Sequence, residues 1–463
     1  MSKREISSSR KVIFYSCGQI SDVTAYQSFI LLIFTFYFAV VGISTWLMVL
    51  GYSLWSVWNA LNDPLMGFIS DRTHTKIGRR LPYIIGAFIP LAIVTIFLYY
   101  PPISFGDTNQ LANFAYFFII IIIFELFYTI YSLNMTSLFP EVFMTQQERT
   151  QANNIRQVFT IVGLIFAFIL PGVIIPGDWT DPANLPRYQL FGVIAAIIIV
   201  AFVLPFLFFG PREKAEFQHD YQKAFGFFGN IKNCFKSKSF RWYIIAETCV
   251  WFVYGMLPTI VPLYAANVLG VTGLSTSLLL ATTFLSATLF ITFLWRPVVR
   301  RIGNRKAWII SFIIWIGALS GTLFIFEFIG GLIVFFLIGI GLSGSLFIID
   351  LVVADIVDED ELSTGMRREA GYYGVNALIL RLSNVLVIFA IGIVFSGTEW
   401  AGGYHPNPGI NVIIGLKILM FVFPAIALVI AALAIFKYPL HGQKLKEIKE
   451  RLNELHEEKK ARV

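Results

Sequence analysis

Four ionisable side chains stand inside long apolar stretches of this chain, and each is a place where chemistry could be done. Asp22 lies in Ser21-Asp22-Val23-Thr24, and Asp63 in Asn59-Ala-Leu-Asn-Asp-Pro-Leu-Met-Gly67. Arg156 falls near the start of one apolar run, and Arg381 about ten residues into another. A charge at mid-membrane depth costs roughly 2.5–3.5 kcal/mol on insertion scales, so each marks a functional candidate. If the stretches are helices of alternating direction, all four sit at similar depth. Opposite charges at one depth can pair across helices, which offsets part of their desolvation. Structural ion pairing without a substrate is the bland alternative.

A second constellation reads off one helical face. Glu125, Tyr128, Thr129 and Ser132 are spaced i, i+3, i+4, i+7 within an Ile- and Phe-rich run, so they face the protein interior or a water cavity. Asn134 and Thr136 extend the polar character off that stripe, and helix–helix hydrogen bonding is its rival explanation. Glu247, Glu327 and Lys417 also lie in apolar runs and receive no role. A third set is charged and lies at the run ends. Asp71, Arg72, Lys76, Arg79 and Arg80 form a loop punctuated by Gly78, while Asp355, Asp358, Arg367 and Arg368 join two later runs. Acid and base so arranged suit a gate that closes in one state and opens in another.

The elements that position these groups follow from composition. Of the 463 residues, 57% are hydrophobic and 14% charged, with mean hydropathy +0.73. A soluble protein carries roughly 25% charged residues, so this is a membrane chain. About twelve spans are expected, near 12–41, 46–70, 82–100, 112–138, 150–175, 188–210, 242–269, 274–295, 307–327, 331–354, 371–396 and 410–436, all helical because hydrocarbon satisfies no backbone group. Lys and Arg gather in alternate loops, which places both termini in the cytoplasm. The polar connector 211–241 divides the chain into halves, 1–210 and 242–436. Lys76-Ile-Gly-Arg-Arg and Arg301-Ile-Gly-Asn-Arg-Lys echo each other after the second span of each half. Parallel repeats of this kind build carriers around a central pathway. The tail 437–463 is an amphipathic helix, expected to be solvated or to lie on the membrane surface.

Other classes are excluded. The net charge of +7 is dispersed over short loops and does not form a nucleic-acid-binding face. Three unspaced cysteines and five scattered histidines give no disulfide framework or metal site. No phosphate loop or His-Glu-x-x-His is present, so no enzyme and no cofactor is expected.

Asn59-Ala-Leu-Asn-Asp-Pro-Leu-Met-Gly67 with its basic loop, Val353-Ala-Asp-Ile-Val-Asp358 through Arg367-Arg-Glu-Ala370, and the placement of Asp22, Tyr128-Thr129, Arg156 and Arg381 carry a resemblance. The chain resembles the glycoside–pentoside–hexuronide:cation symporters of the major facilitator superfamily. The resemblance implies an all-α fold of twelve helices in two halves, in the cytoplasmic membrane, with a monomeric carrier. It implies substrate contacts at Asp22, Tyr128, Ser132, Thr136 and Arg156. It implies cation coupling through Asn59, Asp63, Thr129 and Arg381, with Glu125 as a substitute acid and sodium as an ion for Asp63 and Thr129. Asn59 and Ser132 stand where the family has acids, and Thr136 where one member has Trp. Fewer carboxylates favour a proton over sodium, since sodium wants several hard oxygens under net negative charge. The expected substrate is a sugar or glycoside, and a lysophospholipid is the alternative within the same family.

Overall fold

The computed structural model describes residues 3–73, 75–101, 109–143, 146–212, 234–364 and 369–461. Every long element in them is a helix. In chain order these are α1 (Lys3–Thr35, running into a π turn at Phe36–Val40), α2 (Thr45–Asp71), α3 (Leu81–Phe97), α4 (Gln110–Val142), α5 (Gln146–Ile174) and α6 (Leu185–Phe209). After the connector come α7 (Lys238–Tyr264), α8 (Leu274–Phe290, continuing to Ile302), α9 (Asn304–Ser320), α10 (Phe328–Thr364), α11 (Glu369–Ser396), α12 (Ile410–Phe436) and α13 (Gly442–Ala461). Ten helices among the described residues are long and apolar enough to cross a membrane, and α3 is a shorter apolar helix. The expected connector lies mostly outside the described residues, as do Arg367 and Arg368 of the expected gate.

The described chain forms two compact units. Unit 1 comprises Met1–Ala224, Val261–Ala281 and Gly392–Ile413; unit 2 comprises Phe225–Ile260, Thr282–Ile391 and Ile414–Val463. In unit 1, α1 packs on α5 and α6, α2 on α4, and α3 on α4 and α6. Small residues permit the closest approach: a Cβ on Gly163 would meet the Val23 Cβ at 2.8 Å. Lipid supplies no hydrophobic drive between helices, so such contacts and interhelical hydrogen bonds must hold them. Ser21 Oγ donates to the Ile199 carbonyl at 2.9 Å and Tyr131 OH to the Gly18 carbonyl at 2.8 Å.

Unit 1 also gathers the ends of later helices far in sequence from α1–α6. The Phe38 ring meets Phe395, Trp400 and Tyr404. Thr45 Oγ1 donates to the Trp400 carbonyl at 2.5 Å and Tyr404 OH to Thr180 Oγ1 at 2.7 Å. Unit 2 is built on α9 against α10 and α12, where Gly341 lets α10 approach the Trp315 backbone.

The tail forms the expected amphipathic helix, most of its described residues are exposed, and one stripe of it lies against protein. α13 packs on α10 with Ile448 and Leu452 buried, while Lys449 Nζ meets Asp355 Oδ1 at 3.0 Å and Lys444 Nζ meets Glu359 at 3.1 Å. The apolar stripe meets the C-terminal part of α10, where Asp355 and Glu359 stand one turn apart opposite Lys449 and Lys444.

Candidate substrate and ion site

Asp22 sits midway along α1, where helical geometry places Gln19 one turn before it and Tyr26 one turn after it on the same face. Gln19 Nε2 donates to Asp22 Oδ2 at 3.3 Å, and the Tyr26 ring stacks on Tyr128 of α4 at 4.7 Å. Tyr128 and Ser132 hydroxyls approach the Asp22 carboxylate from α4, and the Arg156 charge acts on it from α5. Asp22 Oδ1 is buried and accepts no hydrogen bond. Arg156 itself lies over the Phe139 ring at 4.8 Å, and its Nη2 donates to Asn153 Oδ1 at 3.1 Å. Four of the five residues expected at a substrate site therefore converge from three helices. Thr136 is exposed on α4, one turn beyond Ser132.

A second cluster lies between α2 and α4. Thr129 Oγ1 donates to Asp63 Oδ1 at 3.0 Å. Asn59, one turn before Asp63, is fully buried, and neither polar atom of its side chain has a hydrogen-bond partner. Glu125 is also fully buried; Trp55 Nε1 donates to its Oε2 at 3.2 Å, and Asn62 Nδ2 to its main-chain carbonyl at 3.2 Å. The Asp63 carboxylate, Thr129 hydroxyl and Asn59 amide oxygen are hard donors suited to a small cation. Among the described residues no group of three or more His, Cys, Asp or Glu is placed to hold a metal. Arg381 lies half-buried on α11, in unit 2.

The charged loop behaves differently from its neighbours in sequence. Arg79 and Arg80 are buried, and Arg80 Nη1 donates to Ser70 Oγ at 2.6 Å. Arg72 is exposed and stacks its guanidinium on Phe68 at 3.7 Å, just past Asp71, the last residue of α2. Asp355 accepts from Asn304 Nδ2 at 2.8 Å and pairs with Lys449. Asp358, one turn away, is half-buried.

Sequence reasoning did not single out Gln19, Tyr26, Trp55 or Asn62. A signal existed for each: Gln19 and Tyr26 flank Asp22 at helical spacing, and Trp55, Asn59 and Asn62 form an i, i+4, i+7 stripe. Lys449 carried no comparable signal, because its partner lies on another helix.

The chain is similar to an uncharacterised symporter of Synechocystis, at 23% identity over 76% of this chain and 79% of the relative. It is similar to the sodium-dependent lysophosphatidylcholine symporter 1 of Gallus gallus, at 25% identity over 87% and 81%. It is likewise similar to the isoprimeverose transporter of Lactiplantibacillus pentosus, at 25% over 84% and 80%. Among solved structures, a nucleoside transporter, NupG, superposes with TM-score 0.67 at 13% identity, covering 92% of this chain and 99% of that one, which establishes the fold. The match to the MFS/sugar transport protein family runs over residues 14–442. This chain is a multi-pass membrane transporter, not an enzyme, and it belongs to that family.

Proposed function

We propose that the protein carries a sugar or glycoside across the cytoplasmic membrane by alternating access, coupled to a cation and most simply to a proton. The observation that carries the reading is the open oxygen of Asp22. A buried carboxylate oxygen without a donor, beside a guanidinium and two hydroxyls, matches the needs of a polyol, whose hydroxyls donate to carboxylates and accept from Arg. A stacked Tyr26–Tyr128 pair supplies an aromatic surface beside it. In this reading twelve spans form two six-helix halves, 1–210 and 242–436. Both termini are cytoplasmic, the carrier is a monomer, and Asp71, Arg72, Arg79, Arg80, Asp355, Asp358, Arg367 and Arg368 serve the inner gate. Asp63, Thr129 and Asn59 form the coupling site, with Glu125 as its neighbouring acid and Arg381 as its basic counterpart.

A lysophospholipid is the second reading, favoured by Ser132 and Thr136 in place of a family acid and an aromatic, and by the Gallus relative. Thermal stabilisation of the purified carrier against sugars, glycosides and lysophospholipids, with and without sodium and across pH, separates them, because a ligand of the folded state raises its midpoint by mass action. Stabilisation by a sugar that requires Asp22 supports the first reading. Stabilisation by lysolipid alone removes it.

A further inference from the structure

Glu247 lies on α7, nine residues past Lys238 and so about 14 Å along the helix. It is fully buried in a span otherwise apolar around it. Asn376 Nδ2, on α11, donates to Glu247 Oε1 at 2.9 Å, and Trp251 Nε1, one turn along α7, donates to the same oxygen at 3.4 Å. The other oxygen, Oε2, is buried and accepts nothing, and the Asn376 amide oxygen is likewise buried and without a donor. Two acceptors thus stand unsatisfied in one buried carboxyl–amide pair. The charged and titratable groups around it do not repair this. Tyr243, from the preceding turn of α7, brings its hydroxyl to the carboxyl, and among the described residues the charge acting on Glu247 is the Asp350 carboxylate of α10, which repels. Arg381 lies half-buried five residues beyond Asn376 on α11. From α9, Trp308 presents a ring to Tyr243, and from α8, Phe284 packs on Tyr254.

An unpaired carboxylate buried with a second carboxylate nearby is costly, whereas one hydrogen on Oε2 removes the charge and adds the missing donor. A carboxylic acid beside a primary amide is a self-complementary pair, with N–H donated one way and O–H the other. We propose that Glu247 is a proton-binding site, held by Asn376, in the later half of the chain and separate from the Asp63–Thr129 pair. The step is Glu247-COOH giving Glu247-COO⁻ and a proton, which passes to water or to the exposed Asp350 carboxylate. The inference rests on the reading that the proton is the coupled ion, yet the site can be observed without any substrate.

Infrared spectroscopy of the full-length protein in nanodiscs at neutral pH reads the carbonyl stretch of protonated carboxylic acids. Wild type is expected to show a band that Glu247→Gln removes, since glutamine keeps the shape and a donor but carries no acid. Asn376→Leu is expected to keep the band and shift its frequency, because the amide partner is gone. The Leu variant keeps the proposal exposed to test if the Gln variant does not fold. A folded Glu247→Gln protein with the wild-type band intact, or an Asn376→Leu protein with no shift, overturns the assignment. Proton-driven uptake of a sugar by wild-type proteoliposomes tests the transport reading separately. Uptake without a Glu247 band defeats the inference alone, and a Glu247 band without uptake defeats the transport reading alone.

Discussion

Asp22 in unit 1 and Glu247 in unit 2 are close relatives in chemistry and opposites in surroundings. Each is a carboxyl within an apolar helix, each takes an amide N–H on one oxygen, and each leaves the other oxygen buried without a hydrogen bond. Around Asp22 stand Arg156 and two hydroxyls. Around Glu247 stand the Tyr243 hydroxyl and another carboxylate, Asp350. The difference teaches that burial alone does not assign a role. A charge of opposite sign leaves an acceptor open for a ligand's donors, while a like charge favours the protonated form of the acid.

The strongest way to break the comparison is to remove the guanidinium. Arg156→Ala removes the positive charge that acts on Asp22 and a guanidinium that would donate to the sugar. A hydrogen bond to a charged group is worth about 1.5–3 kcal/mol. Sugar affinity, read by calorimetry, should fall on the order of 30-fold; Asp22→Ala should do the same, and wild-type affinity in both would remove Asp22 from the site. Next in size, Asp63→Asn should abolish cation-driven accumulation in vesicles while leaving sugar exchange in place. Accumulation by that variant would dissociate Asp63 from coupling. Thr129→Val removes one hydroxyl donor from Asp63, and a net hydrogen bond is worth about 1 kcal/mol, so cation affinity should weaken only about fivefold.

The smallest effects belong to the partly exposed pairs of the tail, which sharpen the contrast with the buried ones. Lys449→Ala leaves Asp355 with Asn304 alone. With the lysine half exposed, the loss should be no more than about 1 kcal/mol, seen as a small drop in thermal midpoint. Lys444→Ala, whose partner Glu359 is more exposed than Asp355, should be close to silent. Just before the same helix, His441 Nε2 accepts from Arg305 Nη1 at 2.8 Å. Partial burial together with Arg305 and Lys306 lowers its pKa below the ordinary 6.5. A histidine with a lowered value favours the neutral form in the fold, so its contribution is full above pH 6.5 and is lost as pH falls through the lowered value. Hydrogen exchange along α13 should therefore speed up on acidification in wild type and respond less in His441→Gln.

How much of this was written in the chain can be judged residue by residue. Asp22 and Arg156 stood out because charges are rare in apolar runs, and the i, i+3, i+4, i+7 spacing on α4 put Tyr128 and Ser132 on one face, while the substrate role expected of them came from the family resemblance. Asp63 and Thr129 were legible in the same way. Glu247 was visible yet unassigned, since its meaning depends on Asn376, a neutral residue 129 positions away. The tail's amphipathic stripe was plain, but a stripe does not name the surface it covers.

Hydrophobic length and scarcity of charge, which are properties of the chain alone, determined that this is a helical membrane protein and where most of its spans lie. The order of basic loops and the family-like motifs determined that it is a carrier. What tertiary structure alone decided was partnership: that Arg156 acts on Asp22, that α13 docks on Asp355, and that among the described residues the charge acting on Glu247 is a carboxylate. Helical periodicity fixes which side chains share a face, whereas the charge and hydrogen-bond state of a buried group is set by neighbours on other helices, over distances in sequence that no local pattern encodes.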